Sequence, residues 1–287
     1  MKMISARQRK FALLCSLLHV PCFLLGGCAN QPPNQNALSG IRLRVTMRYN
    51  STVNPNYQYY FFINNMGSIN AAGPIPVGAP LPDGTYGNGV ATASDNGASS
   101  ATNKGGFTDF VLWSPTANSY GGASQNNYSL YHVVGDANDR SKFRSSGVPI
   151  SSVAPSGDPT DPAGSSTLTF ELDLSQLIRD SLGNAVDANT AATTARNLRY
   201  LQVNIISTNA NPLAQSPANK AYDSMGDTSN GRGSYLTLDV TQTGRIVTST
   251  DSTLPETNEP TFYDVYGASG QSPLDLISWS IEVVRTN

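Results

Sequence analysis

The sequence predicts an all-β protein, an antiparallel β-sandwich with long Gly/Pro/Asn/Ser-rich loops and at most one or two short helices. Three observations predict it. Nine segments alternate apolar and polar residues with period two, the pattern of half-buried strands. No strand–helix–strand rhythm separates them, which argues against a parallel sheet. The connections at 65–106, 135–166, 208–233 and 249–272 are rich in Gly, Pro, Asn, Ser and Asp, and connections this long are functional or poorly ordered.

In chain order, Ile41, Leu43, Val45, Met47 and Tyr49 alternate with Arg42, Arg44, Thr46 and Arg48. Residues 57–64 (YQYYFFIN) form a second strand, with Tyr57, Tyr59, Phe61 and Ile63 on a wholly apolar face. Strands follow at 107–113 and 128–134. Leu168, Phe170, Leu172 and Leu174 then alternate with Thr167, Thr169, Glu171 and Asp173. Three more strands are expected at 199–207, 234–240 and 245–248. Ile277, Trp279, Ile281 and Val283 mark the last. Helical character is confined to 174–182 and 184–196. Residues 41–287 are read as a single domain, a length that all-β units reach. Residues 28–40 have no apolar period and two prolines, which reads as a flexible tether.

Residues 1–27 have the layout of a secretory signal. Lys2, Arg7, Arg9 and Lys10 form a basic head, and residues 11–25 (FALLCSLLHVPCFLL) form an apolar run. The run is shorter than the ~17–25 residues that span a bilayer, and His19 and Pro21 interrupt it. Gln8 separates the two arginines, against a twin-arginine signal. The end of the segment, Leu25-Gly26-Gly27-Cys28, resembles the lipobox of bacterial lipoproteins. The resemblance implies diacylglycerol on the Cys28 thiol, cleavage just before it, and a folded part held outside the cytoplasm. Ala29 implies the outer membrane if the host has one. Two or three acyl chains hold firmly, at ~0.8 kcal/mol per buried CH₂.

Removing the signal changes what chemistry is possible. Cys15 and Cys22 leave with it, so Cys28 is the last cysteine and its sulfur is committed to lipid. Disulfides, cysteine zinc sites and cysteine nucleophiles are thereby excluded. His19 also leaves, so any Ser-His-Asp arrangement must run through His132. That residue alternates with Tyr128, Leu130 and Val134, which equally fits a packed, hydrogen-bonded histidine. Eighteen basic residues less the four of the signal leave 14 against 20 acidic, a net charge of −6. That balance argues against nucleic acid as a partner.

No phosphate loop, dinucleotide fingerprint, H-E-x-x-H or G-x-S-x-G motif is present. Asp136-Ala137-Asn138-Asp139 and the DPTD loop at 158–161 offer oxygens to calcium, but both fit solvated turns, and no cofactor is expected. Glu171 and Asp173 share a strand face, where pairing with arginines of another strand competes with a carboxylate pair for glycosidic chemistry.

Two candidate surfaces remain. Arg42, Arg44 and Arg48 form a basic stripe a dozen residues from the lipid. It suits anionic headgroups or polysaccharide, or a strand face protected from edge pairing. Tyr60 and Phe62 share a face with Gln58 and Asn64, and Trp113 ends a strand. Rings beside amides suit sugar stacking, and they also suit a second packing layer.

The paired alternating segments, with TLTFELDLSQL and LQVNIIS among them, resemble DOMON-like and family-9 carbohydrate-binding sandwiches. Gly73–Val77 (GPIPV) and Trp279–Val283 (WSIEV) resemble a group of bacterial exported proteins. Neither resemblance carries site residues across. The resulting expectation is a non-catalytic, lipid-anchored sandwich binding a surface glycan or an envelope protein, or serving as a structural coat. The alternative is a polysaccharide-active hydrolase using loop carboxylates.

Overall fold

A strand between solvent and a second sheet must send alternate residues to opposite faces. Strand β1 (Ile41–Tyr49) does so without exception: Ile41, Leu43, Val45, Met47 and Tyr49 are buried, Arg42, Arg44 and Thr46 half-buried, and Arg48 exposed. The computed structural model describes residues 39–77, 89–90, 106–113, 128–134, 143–146, 150–152, 164–209, 221–226, 235–256 and 272–285. The chain divides into two units, Met1–Asn36 and Ala37–Asn287, and the described residues belong to the second.

After β1 come β2 (Gln58–Asn64), β3 (Pro76–Val77), β4 (Gly89–Val90), β5 (Asp109–Trp113), β6 (Tyr128–Val133) and β7 (Phe143–Ser145). Then follow β8 (Ser151–Ser152), β9 (Thr167–Asp173), β10 (Tyr200–Thr208), β11 (Tyr222–Ser224), β12 (Leu236–Asp239), β13 (Ile246–Thr248) and β14 (Leu276–Arg285). One sheet has the order β13-β14-β1-β9-β8. The other runs β11-β10-β2-β5-β6-β7, with β12 also paired to β10. The named pairs in both are antiparallel. Strands β3 and β4 pair separately. The protein is an all-β, antiparallel sandwich.

Between the sheets lies one core, built from Leu43, Val45 and Ile281 on the first and Phe61, Val111 and Ile205 on the second. Rings close the gap, with Phe61 5.7 Å from Phe170 and Tyr49 4.8 Å from Tyr59, both edge-on. The strict alternation expected of the last strand fails at one point. Arg48 stands opposite Ser278 but Tyr49 opposite Leu276, so a bulge skips Ile277 and gives its inward place to Leu276. The short strands β3, β4, β7, β8 and β11 lie in segments expected to be connections. Two or three residues are too few to show a period.

Among the described residues two helical pieces interrupt the strands. Asp173 caps the 3-10 helix Leu174–Leu177 by accepting from Ser175 N at 2.9 Å. Asp187 caps α1 (Ala188–Asn197) through Thr190 N at 3.0 Å. The apolar face of α1 is Ala191, Ala192 and Ala195, a stripe too small to stand out in hydropathy. Ser39, assigned from sequence to the tether, is already fixed. Its N–H donates to Asp173 Oδ1 at 3.1 Å, and its carbonyl accepts from Arg196 Nε at 3.0 Å.

Candidate functional site

The rings expected to meet a sugar face the interior of the protein. Tyr60, Phe62, Trp113 and Asn64 are all fully buried, and Gln58 is half-buried. Trp113 lies between the sheets, 5.4 Å from Tyr59. Tyr60 and Phe62 are on the opposite face, where they build a second apolar cluster with Phe107, Phe110, Leu112, Tyr131 and Ile206. Phe62 meets Phe107 edge-on at 4.8 Å and stacks on Tyr60 at 5.0 Å. Burial raises the Tyr131 phenol above its usual pKa. The sugar-stacking assignment of these residues is therefore corrected: their surface is packing surface.

The amides nearby are engaged by the chain itself. Segment 66–77 crosses the outer face of β2 and β10, and side chains of those strands bind its carbonyls. Asn64 Nδ2 donates to Ala72 O at 2.6 Å, Gln202 Nε2 to Ser68 O at 2.8 Å and Asn204 Nδ2 to Pro74 O at 2.9 Å. Gly73 is required where this strap is tightest. A Cβ there would enter the Tyr235 ring and lie 2.8 Å from Gln202 Cβ. Gln58 accepts from the Tyr60 hydroxyl. Tyrosine, phenylalanine and amides do adjoin, as read from sequence, but the strap engages Asn64 and the Tyr60 hydroxyl engages Gln58.

The basic stripe is largely neutralised. Arg44 stands opposite Glu171 on β9 and Glu282 on β14. It reaches them at 2.7 and 2.9 Å, and the Glu171 hydrogen bond is the main cause raising the Arg44 pKa. Arg42 lies 3.4 Å from Glu171 and 4.0 Å from Asp173. Arg48 is exposed and forms no ion pair among the described residues. Glu171 and Asp173 are thus cross-strand partners, the reading that competed with acid–base chemistry.

His132 and Asp109 are directly opposed on β6 and β5, nearly fully buried, and hydrogen-bonded through Nδ1 and Oδ1. Thr108 Oγ1 donates to the other Asp109 oxygen at 2.6 Å. Arg179 is near enough for Asp109 to oppose the lowering that burial imposes on its pKa. His132 Nε2 has no hydrogen-bond partner, so no hydroxyl completes a triad among the described residues. At the far end of the sandwich, three buried carboxylates tie separate segments together. Asp223 accepts from Leu276 N at 2.7 Å, Asp275 from Asn50 Nδ2 at 2.7 Å, and Glu256 from Gly226 N at 2.7 Å and Trp279 Nε1 at 3.1 Å. Desolvation raises Tyr49 well above its usual pKa, and the neighbouring Tyr59, Asp223, Tyr128 and Glu256 add to it.

Among the described residues no group of three or more His, Cys, Asp or Glu side chains is placed to hold a metal. No helix among them is long and apolar enough to cross a membrane. Cys28, the Asp136–Asp139 turn and the 158–161 loop lie outside the described residues. Against known proteins, no family model, no curated protein and no solved structure matches this chain.

Proposed function

We propose that the protein is a non-catalytic lipoprotein of the bacterial envelope, tethered through lipid on Cys28. Its sandwich serves as a structural or protein-binding module. The anchor reading rests on Leu25-Gly26-Gly27-Cys28 following a basic head and a short apolar run. For the module, one observation carries the reading: among the described residues, the side chains that could do chemistry or stack on sugar are used to hold the fold. The large apolar residues exposed among those described, Met66, Ile69, Leu182 and Ile246, include no aromatic ring. Glu171, Asp223, Glu256 and Asp275 all bond to structural partners. This favours a structural or protein-binding role over glycan binding.

Mass spectrometry of the native N-terminus, with a glycan array run on the same preparation, tests both parts. The expected result is a mature chain beginning at acylated Cys28 and no neutral-glycan signal. An N-terminus without lipid would overturn the anchor. Neutral-glycan binding unaffected by salt would overturn the module reading.

A further inference from the structure

Of the three arginines prominent in the sequence, Arg42 and Arg44 are paired with carboxylates and Arg48 is not among the described residues, but further uncompensated arginines lie elsewhere. Arg196, Arg199, Arg245 and Arg285 are all exposed, and none has a carboxylate within 4.0 Å among the described residues. They come from four separate segments, yet backbone contacts bring them to one end of the sandwich. Arg285 stands opposite Ile41, the first residue of β1. Val283, two residues earlier, donates its N–H to Arg245 O at 3.1 Å. The turn at 241–244 leads from Arg245 back to Val240, whose N–H bonds Arg199 O at 2.9 Å. Arg196, in the last turn of α1, binds the carbonyl of Ser39 at 3.0 Å. Ser39 is where the described chain enters the sandwich, and Gly40, at φ +76°, turns it into β1.

The remaining contacts of these arginines are uncharged or diffuse. Arg199 lies 5.1 Å from the centre of the Tyr200 ring, and Arg245 donates to Gln242 Oε1 at 2.8 Å. Among the described residues three carboxylates occur in the same region, and Glu282, opposite Ile246, is already paired with Arg44. Asp173 is buried and accepts from Ser39 and Ser175. Asp239 accepts from Thr241 and Gln242 in the turn, and Arg199 is among the causes lowering its pKa. The opposite end carries the buried Asp223, Glu256 and Asp275, with Arg48 as its exposed, unpaired arginine among the described residues. A chain whose mature part is net acidic therefore gathers uncompensated arginine at the end from which its anchor departs.

We propose that this arginine rim rests on the anionic lipid headgroups of the membrane that holds the anchor, so that the sandwich stands end-on. The proposal depends on lipidation at Cys28. From Cys28 to Ser39 is eleven residues, and at ~3.3–3.6 Å each even a fully extended tether keeps the rim within about 40 Å of the surface. Guanidinium groups suit phosphate because their planar donors bind its oxygens in pairs. Unpaired arginines within a Debye length feel the surface potential, whereas Arg42 and Arg44 are already matched by carboxylates.

Hydrogen exchange of the native lipidated protein tests it, on vesicles of phosphatidylcholine alone and of phosphatidylcholine with phosphatidylglycerol. Amides of 241–245 and 285 are expected to exchange about tenfold more slowly on the anionic vesicles, and high salt should remove the difference. The combined variant Arg199→Gln, Arg245→Gln, Arg285→Gln should lose the slowing while keeping its melting temperature. Arg196 is left intact because it holds Ser39, and Arg48→Gln serves as an exposed control that keeps the slowing. Equal exchange on both vesicles, or slowing that survives the triple variant, overturns the proposal. So does arginine-dependent binding to an anionic polysaccharide without any response to phosphatidylglycerol. Failure of the anchor is a separate result: the protein would then not associate with neutral vesicles at all, while arginine-dependent binding to anionic ones could still be read.

Discussion

On the outer face of the sheet containing β1, Arg42 and Arg44 meet Glu171, Asp173 and Glu282 on the strands beside them. On the outer face of the sheet containing β2, Gln202, Asn64 and Asn204 meet the carbonyls of Ser68, Ala72 and Pro74. Both faces grow from alternating strands, and both place polar groups where solvent or a ligand was expected. On the first, the polar groups satisfy one another and leave the face partly open. On the second, they satisfy backbone that lies over the sheet, beside rings with no exposed surface. Buried backbone carbonyls need donors, so amides in a strand can signal a covering segment as readily as a binding site.

The largest effect should come from treating the second face as core. Phe61 and Phe62 are neighbours on β2, both fully buried, one between the sheets and the other outside them. Each truncation to Ala should cost about 3–5 kcal/mol, the range for a buried phenylalanine. Denaturant unfolding of the two variants side by side measures it. A Phe62→Ala cost below about 1 kcal/mol, a value typical of surface changes, would return the outer rings to the surface and break the comparison.

An intermediate effect is expected at the strap. Gly73→Ala drives a methyl against the Tyr235 ring and Gln202 Cβ, and should cost about 1–3 kcal/mol through overpacking. Asn204→Ala should cost a similar amount, about 1–3 kcal/mol, because it leaves the Pro74 carbonyl without its donor. Thermal unfolding of both variants sharpens the contrast with the charged face. If neither moves the midpoint, the strap contributes nothing to stability.

The fold was legible because alternation survives in strands of seven residues or more, such as β1, β9 and β14. It failed locally where the backbone broke register at Ile277, since a bulge changes phase without changing composition. The pairing of Glu171 with arginines was also legible, because a period-2 strand puts like-facing charges within reach of their neighbours. The fate of Tyr60 and Phe62 was not. Their exposure depends on segment 66–77 and Phe107, and no local period reports what lies over a strand. The arginine rim was hidden for a related reason. Its members are 3, 46 and 40 residues apart along the chain, from Arg196 through Arg199 and Arg245 to Arg285, and only the turn at 241–244 and the β1–β14 register unite them. One signal was available: each lies at the end of a strand or helix.

The smallest effect belongs to the charged face and tests whether its ion pairs stabilise anything. Arg44 binds Glu171 through two nitrogens, Nε at 2.9 Å and Nη2 at 2.7 Å, and Glu282 through a third at 2.9 Å. Its side chain is 42% exposed and that of Glu171 only 13%, so water screens the pair from one side. Exposed pairs contribute about 0.2–1 kcal/mol in double-mutant cycles, and the two-nitrogen contact places this one toward the upper end. A cycle of Arg44→Ala and Glu171→Ala should therefore return a coupling below about 1 kcal/mol that shrinks as salt rises. Arg48→Ala, with no ion pair to lose, should stay within about 0.5 kcal/mol of wild type. A coupling of several kcal/mol that ignores salt would mean that the outer face of β1 is shielded from water like that of β2. The two faces would then differ only in which polar groups they bury. A vanishing coupling at low salt would mean that the carboxylates serve to keep this face of the strands neutral, leaving the uncompensated positive charge to the rim.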